Sequence, residues 1–226
     1  MDSILFHGSD KIIETPARNK GKMHNDYGQG FYCTPDLALA REWACSESPS
    51  AFVNNYSFEQ SYNLKICYLS KPPYHPLNWL AVLMKNRVFS TKHLVSKEIK
   101  EYILREFLPD LSGFDIIRGY RADDSYFDIA DAFLSGAITL QQLTKALRLG
   151  NLGEQVFLQS QAVFDALVFT SAEYVDKQVY YPLRVQRDRQ ARQAFRNMKG
   201  AGLGADGILA VDILRGKWRN DDARLR

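Results

Sequence analysis

Strands and helices are interleaved here without a regular strand–helix–strand alternation, an order that predicts an α+β domain. Three observations carry the prediction. The chain opens on an apolar run of strand type, Ile4-Leu5-Phe6, that leads straight into His7-Gly8-Ser9. Further short β-rich runs follow, among them Ala51 to Ser57 and Phe114 to Gly119. Between the strands lie segments of helical period, such as Leu37 to Ala44 and Thr139 to Leu149.

In chain order, Met1 to Phe6 reads as the first strand. Lys11 to Lys22 is polar and punctuated by Gly and Pro, hence a loop, and its Lys11, Arg18, Lys20 and Lys22 are cations of the kind that meet a pyrophosphate. Asp36 precedes an amphipathic helix whose Leu37, Ala40, Trp43 and Ala44 are expected to face inward. Ala51 to Ser57 and Asn63 to Leu69, separated by a polar turn, predict a hairpin. Lys71 to Pro76 is a non-helical break, followed by helical patterns over Trp79 to Val88 and Ser96 to Leu108. Phe114 to Gly119 is a strand. Tyr126 to Leu134 and Thr139 to Leu149 are helices, the second opened by a Thr139–Gln142 capping-box spacing. Val156 to Leu158 and Leu167 to Thr170 read as strands around a short helix, and Tyr174 to Val185 has β-type composition broken by Pro182. Arg184 to Lys199 is rich in arginine, which fits either phosphate or acidic-protein binding or a solvated helix face. Gly200 to Gly207 is a glycine-rich joint, and Ile208 to Leu214 is an apolar run expected to pack back on the domain.

The 226 residues suit one domain, or one domain with a small appendage. Hydrophobic content of 46% and charged content of 24% are globular values, and a net charge of +3 is too small to argue for nucleic acid alone. Cys33, Cys45 and Cys67 are odd in number and widely spaced, which fits reduced, packed thiols rather than a disulfide framework or a zinc site. No signal peptide or membrane span is visible, so a cytoplasmic protein without membrane contact is expected. No Gly-x-Gly-x-x-Gly follows a strand, and Walker, Gly-x-Ser-x-Gly and zinc-helix motifs are missing.

The chemistry-bearing stretches are Phe6-His7-Gly8-Ser9 and Tyr27-Gly28-Gln29-Gly30-Phe31-Tyr32. An imidazole can hydrogen-bond a sugar hydroxyl. Gly8 lets a ligand reach bare backbone. Tyr32 offers a flat face for a heteroaromatic ring, and Phe31 is either a second wall or core.

These stretches, with Cys33-Thr34, Ala38 to Trp43, Phe114 to Gly119, Ala122-Asp123-Asp124 and Asn151 to Phe169, resemble the DUF3990 group of the ADP-ribosyltransferase superfamily, in the His-Tyr-Glu branch that also holds the poly-ADP-ribose polymerases. The resemblance implies two packed small β-sheets forming an NAD cleft, with a helical insertion over about residues 76–150, a domain over 1–185 and a basic extension over 186–226. It implies that His7 contacts the nicotinamide ribose with help from Ser9, that the Gly8 backbone holds the carboxamide, and that Tyr32, in the turn shared with Gly30 and Phe31, stacks on nicotinamide. It places Gln155, not Glu154, in the third catalytic position, a glutamine common in the DUF3990 group.

Glutamine can orient a hydroxyl but cannot act as a general base, which argues against chain extension and for transfer of a single unit. If its strand is regular, Glu154 faces the other way. The function so implied is transfer of one ADP-ribose from NAD to a macromolecule, protein or nucleic acid, with release of nicotinamide. By the same resemblance an antitoxin is an expected partner, as in bacterial toxin–antitoxin or phage-defence systems. NAD hydrolysis and a non-catalytic module binding NAD, ADP-ribose or nucleic acid stand as alternatives. Asp123 and Asp124 suit either a second site or a solvated turn.

Overall fold

The computed structural model describes residues 4–58, 63–88, 94–122, 125–151, 153–204 and 207–225, without the side chains of Ser125 and Tyr126. Asp123 and Asp124 lie outside the described residues. The architecture is mixed α and β, with two small sheets and several helices.

Strands β1 (Ile4–Ser9), β3 (Phe52–Phe58) and β7 (Leu167–Tyr174) form an antiparallel sheet in the order β1-β3-β7. Strands β2 (Phe31–Cys33), β6 (Glu154–Leu158), β5 (Ile116–Tyr120) and β4 (Ile66–Tyr68) form the other, in the order β2-β6-β5-β4. The sheets meet where Phe6 and Thr34 exchange two backbone hydrogen bonds of 2.9 Å. Leu5 and Tyr56 of the first sheet pack on Phe31, Cys33, Ile116, Val156 and Leu158 of the second.

The opposite face of the second sheet carries Tyr32, Cys67, Ile117 and Phe157. Helices α2 (Pro76–Asn86), α3 (Leu94–Phe107), α4 (Ser125–Leu134) and α5 (Leu140–Ala146) cover that face in the largest apolar cluster. Burial on both faces explains why β2, β5 and β6 read as apolar runs rather than alternations. The span 76–150 thus holds four helices and also β5, which is integral to the sheet.

Helix α1 (Leu37–Ala44) starts where the Asp36 carboxylate accepts from Leu39 N at 3.1 Å, and α5 starts with the Thr139–Gln142 capping box. Helix α6 (Gln161–Ala166) is capped by Ser160. The three cysteines are buried and free. Among the described residues no helix is long and apolar enough to cross a membrane.

Three expectations change. The hairpin over Ala51 to Leu69 does not form. β3 takes β1 and β7 as neighbours, while β4 crosses to the other sheet and pairs in parallel with β5. Apolar alternation specifies which face is buried but not which strand lies alongside.

The β-type segment from Tyr174 to Val185 is helical from Lys177, in α7 (Lys177–Gly200), which runs unbroken through residue 185. Its start is set by the Asp176 side chain accepting from Gln178 N at 2.8 Å. Pro182 forfeits one intrahelical bond. Polar ties to α1 outweigh that loss and the weak helix propensity of Val179, Tyr180 and Tyr181. Beyond it, α8 (Ala210–Arg215) buries Ala210 and Ile213 against the helical cluster.

Trp43 does not join the core with Ala40 and Ala44. It is only half-buried, with the Arg121 guanidinium 4.1 Å above its ring. Small residues let α1 lie close on β1, and the indole is left on the flank away from that contact.

Candidate functional site

β1 carries His7 to the seam between the sheets. Its ring stacks on Phe31 at 4.2 Å, and its Nδ1 lies 2.6 Å from the Tyr32 carbonyl oxygen. A carbonyl only accepts, so Nδ1 must carry the proton. In the neutral ring Nε2 is then an acceptor. Burial lowers the His7 pKa below its ordinary value, while the Tyr32 carbonyl opposes that shift. The imidazole is therefore neutral at pH 7.

Gly8 seats β1 against α1. A Cβ there would fall 2.2 Å from the Ala40 carbonyl oxygen and 2.5 Å from Ala44 N. Ser9 is committed to the turn that follows, since its hydroxyl donates to the Lys11 carbonyl at 2.5 Å and accepts from Asn54 Nδ2 at 3.1 Å. Asn54, fully buried opposite His7 in β3, also bonds the Lys11 carbonyl and Ile13 N and so pins the chain after the imidazole.

Tyr32 is held from below by the preceding turn. Its hydroxyl donates to the Gly28 carbonyl at 2.5 Å and accepts from Tyr27 N at 3.1 Å. Its ring lies 4.9 Å from Phe157 and 6.5 Å from Tyr27. Burial raises the phenol pKa, so it stays protonated. Gly30 permits this packing, because a Cβ would meet the Phe157 ring at 2.3 Å. The turn is anchored by Asp26, which pairs with Arg87 at 2.6 Å and accepts from Ala122 N at 2.9 Å. Tyr27 in turn donates to the Tyr120 carbonyl at 2.7 Å.

Gln155 lies opposite Gly119 on β5 and two residues from Phe157, which itself lies opposite Tyr32. Strand alternation puts Tyr32, Phe157 and Gln155 on one face. Gln155 is 7% exposed and its Oε1 is buried without a hydrogen-bond partner. The β5–β6 register runs regularly to Tyr120–Glu154, so Glu154 faces the other way, where Arg118 Nε bonds it at 2.9 Å.

Of the residues expected at the site, His7, Phe31 and the Tyr32 main chain meet directly, and Gln155 shares the Tyr32 ring face. The imidazole of β1 and the phenol ring of β2 lie on opposite sides of β2: His7 stacks on Phe31 of the intersheet core, Tyr32 joins the helical-side core. Sequence reasoning missed Asn54 and Asp26. A buried Asn or Asp differs from a solvated one only through partners distant in sequence, but an Asp directly before Tyr27-Gly28 was the available hint. Among the described residues no cluster of His, Cys, Asp or Glu could hold a metal ion.

Two small sheets bridged by an imidazole–carbonyl contact, one of them backed by a helical layer, define an α+β protein. The family model for proteins of unknown function DUF3990 matches residues 3–169. The chain therefore belongs to the DUF3990 family. No curated protein and no solved structure matches it.

Proposed function

We propose that the chain has an ADP-ribosyltransferase-like fold of the His-Tyr-Glu type and transfers one ADP-ribose from NAD, its substrate, to a macromolecular acceptor, releasing nicotinamide. The observation that carries this reading is the state of His7. With Nδ1–H given to the Tyr32 carbonyl, Nε2 is a fixed acceptor suited to a ribose hydroxyl. Breaking the nicotinamide–ribose bond builds positive charge on the ribose, so holding the sugar and the leaving group in place is the main help a protein can give.

The unpartnered Oε1 of Gln155, on the Tyr32 side of β2, is the second support, since a ligand that parts Tyr32 from Phe157 would bring it a hydroxyl partner. Glu154 does not replace Gln155, because it is bound to Arg118 on the other face. Gln155 carries no charge and takes up no proton at neutral pH, so the acceptor supplies its own nucleophile. For nicotinamide to stack on Tyr32, the ring must come away from Phe157, against which it is 9% exposed. The Gln155 amide also favours one alternative, a module that binds NAD or ADP-ribose without turning it over.

The test is incubation of lysate with labelled NAD and wild-type, His7→Ala or Gln155→Ala protein. Transfer predicts label on a protein or nucleic-acid band, lost in both variants. Nicotinamide release without a labelled band would mean hydrolysis. Retention of label in His7→Ala would refute the assignment.

A further inference from the structure

A cleft of about 430 Å³ lies between α1 and α7, lined by Trp43, Glu47, Arg121, Tyr181, Arg184 and Arg187 among others. That size is typical of small-ligand sites. The cations in it are not equivalent. Arg187 is committed to Glu42, with bonds of 2.8 and 2.7 Å, and to the carbonyls of Gly150 and Asn151. Arg192 is bound to Asp188 at 3.0 Å. Arg184 donates to the Cys45 carbonyl and has no carboxylate partner among the described residues. Arg121 lies over the Trp43 ring. Among the described residues the lining holds Arg121, Arg184, Arg187 and Arg192 against Glu42, Glu47 and Asp188, a formal balance of +1.

The Trp43 indole Nε1 is buried and has no hydrogen-bond partner. An indole N–H only donates, so an acceptor alone can satisfy it. Guanidinium groups match the oxygens of phosphate, and the two aromatic side chains, Trp43 and the half-exposed Tyr181, suit a flat base beside it.

We propose that the α1–α7 cleft binds a nucleotide phosphate, with Trp43 Nε1–H and the Arg184 guanidinium donating to its oxygens. None of His7, Tyr32 or Gln155 lines this cleft, so the assignment does not depend on transfer chemistry. The phosphate can belong to a free nucleotide or to a polynucleotide backbone.

Calorimetric titration of the full chain with ADP, and with a short oligodeoxythymidylate lacking terminal phosphates, tests it. Saturable binding is expected, weakened about tenfold or more by Arg184→Gln and by Trp43→Phe, which keeps a ring but removes the donor. Arg189→Gln, exposed on the same helix and outside the cleft, should change affinity less than about twofold. Tighter binding of ADP than of the oligonucleotide identifies a free nucleotide as the source, and the reverse identifies a polynucleotide. Absence of saturable binding by both probes overturns the proposal. So does equal weakening by Arg189→Gln and Arg184→Gln, the mark of diffuse charge attraction. Should Trp43→Phe lose the wild-type circular dichroism spectrum, the Arg184→Gln and Arg189→Gln pair decides alone.

Discussion

Eight of the eleven residues of α2 are buried, Leu77 through Met84, whereas the 24 residues of α7 include one buried side chain, Ala191. α2 is apolar nearly all round and can sit only in an interior. α7 leaves Val179, Tyr181, Leu183 and Val185 partly in solvent and is tied down by polar groups. Lys177 Nζ donates to the carbonyls of Ser46 and Ser48, Arg184 to that of Cys45, and Arg187 to Glu42. One helix is placed by the loss of water from apolar surface, which needs no particular partner. The other is placed by directional contacts to groups more than a hundred residues away in sequence. The first kind of placement tolerates salt and demands volume, while the second demands geometry and feels solvent.

Truncation inside α2 should have the largest effect. Trp79→Ala removes a fully buried ring and the indole donor to Tyr27 Oη at 3.0 Å, and should cost about 3–5 kcal/mol in urea unfolding. Because Tyr27 N supports the Tyr32 hydroxyl, the same change should also loosen the candidate site. A loss below about 1.5 kcal/mol would mean that α2 is not held by burial, and the contrast with α7 would fail.

Next in size is Arg187→Gln. It leaves the Glu42 carboxylate, whose side chain is 5% exposed, without its cation. The expected cost is about 1–3 kcal/mol, with Arg187→Lys restoring little because the pair is bidentate. Adding Glu42→Gln should recover part of the loss, a coupling that unfolding of the four variants would measure. Full additivity would show that the two side chains act independently.

This same contrast explains what could be read from the chain. α1 and α5 announce themselves through Asp36, Thr139 and Gln142, because a cap is a local contact. The opposed directions of Glu154 and Gln155 follow from strand alternation, also local. The strand pairing of β3 and β4, the helical state of Val179 to Val185 and the burial of Asp26 and Asn54 depend on partners that no local pattern names. The candidate site divides the same way. The residue types at His7, Tyr32 and Gln155 were legible by resemblance, but the contact that fixes the imidazole runs to a main-chain carbonyl, and every residue has one.

A smaller effect, confined to acid, concerns His7. Its ordinary pKa is 6.5 and burial lowers it in the folded chain. Below 6.5 the unfolded chain takes up a proton that the folded chain still refuses, so stability falls as pH falls through that value and is fully present above it. His7→Gln, which cannot titrate, should flatten this part of the stability–pH curve and leave its neutral part nearly parallel to the wild type. An equally steep acid limb in the variant would assign the effect to other groups.

The smallest expected effect is at Arg41. Its guanidinium bonds Glu173 at 2.6 and 3.1 Å and the Tyr180 hydroxyl at 3.1 Å, an arrangement that looks at least as good as Arg187 on Glu42. The difference is solvent: the Arg41 and Glu173 side chains are 30% and 34% exposed. Water that can reach both charges recovers most of what their separation loses, so Arg41→Gln should cost under about 1 kcal/mol. Salt should shrink even that, since exposed charges are screened within about 3 Å at 1 M. Arg187→Gln, whose partner is sealed from solvent, should keep most of its cost under the same conditions. Measuring both variants at low and high salt places burial, rather than bond length, as the variable that decides what a charged tie contributes. Equal and equally salt-insensitive losses would reject that ordering.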